Sequence, residues 1–173
     1  MDALLIVDMQ EGILRGEPKH DLEGVVTRID RLAARVRKRQ GRVLFIQHGG
    51  APGDVFEPLT PGWALLRAIK RMPGDKVVHK TFNDPFFDTP LESELSALAP
   101  ERVLVTGWAT DFCVDACVRS AVTRGFNVVV VGDCHTLSDR PHLRAPLVIE
   151  HHHYVWKNLI ATEPVSVAYE SEL

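Results

Sequence analysis

The feature that most limits how this chain can fold is a set of short apolar runs, each ending on polar residues or glycine. Residues 3–7 (ALLIV) run into Asp8 and residues 43–46 (VLFI) into Gln47 and His48. Residues 103–105 (VLV) run into Thr106 and Gly107, and residues 128–131 (VVVV) into Gly132, Asp133 and Cys134. A strand with one wet face alternates apolar and polar side chains. A run without alternation belongs inside a parallel sheet that is covered by helices on both faces. The segments between the runs have helical spacing. Asp21 opens a helix with Val25, Val26, Ile29, Leu32, Ala33 and Val36 on one face, ended by Gly41. Thr89-Pro90-Leu91-Glu92 is a capping-box pattern for a helix to about Leu98. Ser138, Asp139 and Pro141 start a last helix that runs to about Leu159. Residues 76–80 form a brief strand, residues 164–168 an edge strand, and residues 63–69 a short helix. Strand and helix alternate without a repeat, which predicts an α/β protein: a doubly wound three-layer fold with a mostly parallel sheet of about six strands.

One stretch, residues 102–124, carries the most chemistry. It opens as a buried strand, turns through Gly107 and continues as a helix with Thr110 and Asp111 as N-cap candidates and Gly125 as its stop. Cys113 falls in the first turn, where unsatisfied backbone N–H groups and the positive end of the helix dipole favour a thiolate. The same donors can stabilise an oxyanion on a carbonyl that the sulfur attacks. The alternative is a small buried hydrophobe, the commoner fate of cysteine.

Composition narrows the function classes. With 173 residues, 45% of them hydrophobic and 25% charged, the chain fits one globular domain, residues 1–173. A net charge of -3 provides no attraction for nucleic acid or an anionic membrane. Cys113, Cys117 and Cys134 lack the spacing of a disulfide framework and are expected to be reduced. No basic segment precedes the first apolar run, which ends on Asp8, so no signal peptide is expected and the cytoplasm is the default location. Neither a G-x-G-x-x-G after the first strand nor a P-loop is present, which disfavours dinucleotide and P-loop nucleotide binding.

The strand ends place Asp8, His48, Lys80 and the turn carrying Cys113 along one rim, so an acid, a base and a thiol share one edge of the sheet. Residues 81–88 (TFNDPFFD) hold three phenylalanines, too apolar for a solvated loop. Phe82, Phe86 and Trp108 serve either as core or as the apolar lining of a small substrate site. Gln10, beside the acid, is a candidate to hydrogen-bond substrate, the alternative being a brace for its own loop. Cys117, one turn after Cys113, is read as packing. His151, His152 and His153 point about 100° apart along a helix and cannot converge on one ion. With Tyr154 and Trp156 beside them they suggest packing or a subunit contact. Asp133 is read as a cap for the loop after its strand.

The stretches ALLIVDMQ, HKTF with FFDTPLESEL, VLVTGWATDFCV and VVVVGD occur in an order and spacing that resembles the isochorismatase-like superfamily of cysteine hydrolases, which includes nicotinamidases and other small amidases. The resemblance implies a triad: Cys113 as nucleophile, Asp8 as proton shuttle and Lys80 as electrostatic partner. It implies an oxyanion hole from the backbone N–H groups of Ala109 and Cys113, with a cis peptide between Trp108 and Ala109. The substrate would be a small amide or carbamoyl compound, hydrolysed through a thioester without cofactor or metal, by a chain that assembles as a homo-oligomer. Relatives that bind metal carry an Asp-x-His pair where this chain has Gln47-His48, and true isochorismatases generally lack the nucleophilic cysteine. Ether hydrolysis and a non-catalytic binding role are the alternatives; reversible oxidation of Cys113 would mark a redox module.

Overall fold

A computed structural model describes residues 1–173. Six strands form one sheet in the order β3-β2-β1-β4-β5-β6, and every adjacent pair is parallel. They are β1 (Asp2–Val7), β2 (Arg42–His48), β3 (Lys76–Lys80), β4 (Arg102–Trp108), β5 (Val128–Thr136) and β6 (Ser166–Ala168). From β1 the chain winds outward through β2 and β3, then returns to β4 and winds the other way. The order reverses between β1 and β4, the position at which open α/β sheets leave a crevice at the strand ends.

The apolar runs are the central strands, and their alternate residues enter two separate cores. On one face, Leu4 and Ile6 of β1 join Phe45 of β2 and the buried stripe Val25, Ile29, Leu32, Ala33 and Val36 of α1 (Leu22–Lys38). On the other, Leu5 and Val7 pack with α2 (Leu91–Leu98), α3 (Asp115–Thr123) and Trp156 of α4 (Ala145–Lys157). No helix is long and apolar enough to cross a membrane.

Several element boundaries differ from the sequence reading. Residues 63–69 form turns rather than a helix, because Leu65 pairs with Gln10 in an antiparallel bridge. The last helix starts at Ala145, not near Ser138; Ser138 instead bridges to Lys19, and Asp139 caps from a distance by accepting from the Ala145 N–H at 2.8 Å. Thr89 accepts from the Leu91 N–H, but the return half of the capping box is missing because Glu92 is paired with Arg124. β5 does not stop at Val131 but runs on to Thr136, its register with β4 shifting between Val105 and Gly107. Asp133 therefore lies inside the strand, accepting from the Glu170 N–H.

The close approach of β1 and β4 depends on Gly107. Its φ is +121°, and a Cβ there would lie 2.1 Å from the carbonyl oxygen of Val7. Gly125 also has positive φ, +81°, after the end of α3, but open space surrounds it. The two glycines separate steric from conformational cost. Gly125→Ala is expected to lower stability by about 1 kcal/mol and Gly107→Ala by roughly 3 kcal/mol or more, as read from urea unfolding midpoints. Equal losses would show that β1 and β4 can move apart to admit a methyl group.

Candidate active site

Three elements bring their ends to the crevice. Asp8 follows β1 in a left-handed conformation, φ 50°, with its N–H bonded to the Ile46 carbonyl at 2.9 Å. Lys80 is the last residue of β3, and its side chain is fully buried. Cys113 follows β4 in a single π-helical turn, Thr110–Val114, that leads into α3. The peptide bond between Trp108 and Ala109 is cis.

The side chains converge on the Lys80 ammonium. Its Nζ lies 2.8 Å from Asp8 Oδ2, 3.0 Å from the Phe82 carbonyl oxygen and 3.4 Å from Cys113 Sγ. An ammonium has three N–H donors, and here all three are spent. Asp8 Oδ1 is left buried without a hydrogen-bond partner. The Cys113 thiol lies close enough to favour the charged carboxylate, without reaching hydrogen-bond geometry to Oδ1. Burial outweighs Lys80 and raises the Asp8 pKa above the usual carboxylate value. Burial, reinforced by the Asp8 charge, pushes the Cys113 thiol up to about 12 against the pull of Lys80. The sequence reading expected a thiolate here; the dipole of one short turn does not offset desolvation, which favours the thiol.

The turn bearing Cys113 is tied down from several sides. The Ala109 carbonyl accepts from the N–H groups of Phe112 and Val114, while the Ala109 N–H finds no acceptor in the chain. Asp111 does not cap the turn but pairs bidentately with Arg140 at 2.7 and 2.6 Å. Thr110 Oγ1 meets His135 Nδ1 at 2.9 Å, and His135 Nε2 meets His153 Nε2 at 3.0 Å. His153 thus faces the interior, His152 is held to the Val148 carbonyl, and Trp156 donates to Asp115 at 2.8 Å. No three His, Cys, Asp or Glu side chains converge to hold a metal ion.

The residues suggested for substrate contact sit in different surroundings. Gln10 is saturated: its amide donates to the carbonyls of His48 and Trp63 and accepts from the His48 N–H. Phe86 is a core residue with the Arg124 guanidinium over its ring. Trp108 packs against Phe56, and its indole N–H is buried without a partner. Phe82 is 56% exposed, edge-on to Phe87. A cavity of about 450 Å³ adjoins Lys80, with Gly49, Pro58, Trp63, His79, Thr81 and Asp88 completing its lining. Beside it His48 is half-buried, held below its ordinary pKa chiefly by burial, with Nδ1 unpartnered. A larger groove, about 790 Å³, runs along the β2–β3 edge away from the thiol. Sequence reasoning missed Asn83, whose Oδ1 lies 3.7 Å from Cys113 Sγ as an acceptor for the thiol proton. Its only sequence signal was its place between Phe82 and Asp84 in the loop after Lys80. Cys117 and Cys134 are fully buried, and all three thiols are free.

The thiol of Cys113, the carboxyl of Asp8 and the ammonium of Lys80, all buried, meet at the switch point of an all-parallel α/β sheet. The model of the Isochorismatase domain matches residues 2–160, and the chain belongs to that family of hydrolases. It is 37% identical over 142 residues to a streptothricin hydrolase of Streptomyces noursei, a match that covers 82% of this chain and 56% of the relative. The chain thus spans about half the length of that relative. Ureidoacrylate amidohydrolase RutB of Methylorubrum extorquens is 28% identical over 179 residues, covering 82% of this chain and 72% of the relative. A solved isochorismatase family protein superposes with a TM-score of 0.86 at 26% identity over 96% of both chains.

The histidine chain behind the turn has a measurable signature. Two imidazoles joined through their Nε2 atoms need one donor and one acceptor, so protonating both breaks the contact. Burial holds His135 down to about 3 and lowers His153 as well. Their folded pKa values lie below the unfolded value, so the stability they contribute is complete above about pH 6.5 and is lost as the pH falls. Unfolding free energy is expected to drop by about 2 kcal/mol between pH 7 and pH 5 on account of His135. Ring proton shifts of His135 that titrate near 6.5 in the folded protein would contradict this.

Proposed function

We propose that the protein is a cysteine hydrolase that cleaves a C–N bond in a small amide or carbamoyl compound through a thioester. The reading rests chiefly on one observation: a buried carboxylate oxygen, Asp8 Oδ1, without a partner beside a thiol, while its sister oxygen is bound to Lys80. That is an unoccupied proton acceptor at the nucleophile. The names of the relatives, a streptothricin hydrolase and a ureidoacrylate amidohydrolase, support hydrolysis, and the second supports an amide bond.

In this reading Asp8 takes the thiol proton as Cys113 Sγ attacks the carbonyl carbon. The carbonyl π pair moves onto oxygen, which receives the N–H groups of Ala109 and Cys113. Asp8 then protonates the departing nitrogen, ammonia or an amine leaves, and the thioester remains. Asp8 next deprotonates a water that attacks the thioester, and the thiol recovers its proton. The raised pKa of Asp8 suits both halves of this exchange, since a stronger base accepts the thiol proton more readily. Lys80 holds Asp8 in place and offsets the negative charge that develops on sulfur.

The test is an ammonia-release screen over primary amides, ureas and N-carbamoyl acids. For any accepted compound, Cys113→Ala is expected to lower kcat/KM by roughly 10³-fold or more while leaving the circular dichroism spectrum unchanged. Turnover retained by that variant would remove the sulfur from the mechanism. Release of pyruvate from an isochorismate-like ether, with no amide accepted, would favour the ether reaction instead.

A further inference from the structure

We propose that Asn83 holds the Cys113 thiol proton away from Asp8 in the free enzyme, and that a substrate bearing an N–H group releases it. The inference rests on the cysteine-hydrolase reading and concerns how that site is switched on.

The thiol has a single proton, and two acceptors compete for it. The sulfur already receives the Lys80 ammonium at 3.4 Å, and its own proton has Asn83 Oδ1 as partner at 3.7 Å. The stronger base nearby, Asp8 Oδ1, is buried and has no partner. Within hydrogen-bond geometry the thiol has only the weaker acceptor, while the better one lies close by without a partner. Asn83 is exposed on the loop after β3, and the sulfur contact is the one hydrogen bond of its side chain. Sulfur is 7% exposed at its residue, so a ligand entering from solvent meets Asn83 first.

A nitrogen-bound proton is a stronger hydrogen-bond donor than a thiol. The N–H of an incoming amide, urea or carbamoyl group therefore displaces the thiol from Asn83 Oδ1. Rotation about the Cβ–Sγ bond then carries the proton to Asp8 Oδ1, and a sulfur lone pair forms the bond to the carbonyl carbon as the π pair shifts to oxygen. No co-reactant is needed. Substrates with at least one N–H facing the loop are selected, because an ester or a tertiary amide leaves the thiol parked on Asn83.

The test compares the full-length protein with its Asn83→Ala and Asn83→Asp variants. The first readout is the rate at which methyl methanethiosulfonate, a small reagent without N–H groups, modifies Cys113, followed by mass spectrometry. Alanine frees the proton, so the rate is expected to rise about 2- to 10-fold. Aspartate keeps an acceptor and adds a charge that opposes thiolate formation, so the rate is expected to fall. The second readout is kcat/KM for an amide that the ammonia screen identifies, expected to fall in both variants. Opposite signs in the first and equal signs in the second support the proposal, whereas a merely structural role would move everything together. An unchanged or slower rate in Asn83→Ala overturns it, even where the wild type hydrolyses amides. If the wild type hydrolyses no amide, the cysteine-hydrolase reading fails separately, and the modification rates still decide where the thiol proton resides.

Discussion

The buried Asp8–Lys80 pair constrains this structure more than any other contact. Both side chains are essentially excluded from solvent, and their Coulomb gain is largely offset by desolvation, so the pair contributes little net stability. What it imposes is geometry. Lys80 and Asp8 end strands separated by β2, a lateral distance of about 10 Å, which a long flexible stem can bridge and a short basic side chain cannot. Breaking the pair strands an uncompensated charge in the interior, so the strand order β3-β2-β1 and the side chains at its rim are mutually required. The Phe82 carbonyl is recruited as the third ammonium acceptor, and the start of the loop bearing Asn83 is fixed by the same charge.

The same desolvation acts on the thiol of Cys113. A helix start ordinarily favours thiolate, and Lys80 adds to that pull, yet the adjacent carboxylate and the dry surroundings hold the proton on sulfur. For the proposed mechanism the consequence is that the sulfur stays protonated until something changes its polar surroundings. In the proposed reaction a substrate does this in two ways: it brings a carbonyl whose developing charge the free Ala109 N–H receives, and it supplies groups that compete for the contacts of the thiol. Activation then belongs to the complex rather than to the free protein.

The legible part of this arrangement was the part written in period and strand ends. The uninterrupted runs at residues 3–7, 43–46, 103–105 and 128–131 specify buried parallel strands, and their C-terminal residues become the rim. Asp8, Lys80 and Cys113 could therefore be placed together, whereas the cis bond and the roles of Ala109 and Asp8 came only from family resemblance. What was not legible depends on long-range closure. Ser138 and Leu65 are drawn into bridges with Lys19 and Gln10, segments far away in the chain, and local helix signals lose to those contacts. Phe86 reads equally as core or pocket wall until Arg124 and Phe126 are brought against it. Asn83 meets Cys113 across 30 positions, and nothing in its neighbourhood marks it as an acceptor for a thiol.

A division of labour follows from how the two sides of the sulfur are held. The turn at residues 110–114 is anchored through Thr110 to the buried His135, through Asp111 to Arg140, and through Asp115 at the start of α3 to Trp156, so its backbone donors and Cys113 have little freedom. Across the crevice, the Asn83 side chain is exposed and has one hydrogen bond, to the sulfur, while its neighbours Phe82 and Asp84 are held to Lys80 and Ser120. Rigid placement suits the groups that must meet developing charge, because each ångström of drift weakens an interaction that depends on alignment. In the proposed switch Asn83 faces the opposite requirement, since its side chain exchanges one partner for another when a ligand arrives. In the proposed mechanism the oxyanion donors sit on the anchored turn and the replaceable acceptor is one exposed side chain, so the site can respond to its ligand without disturbing the turn.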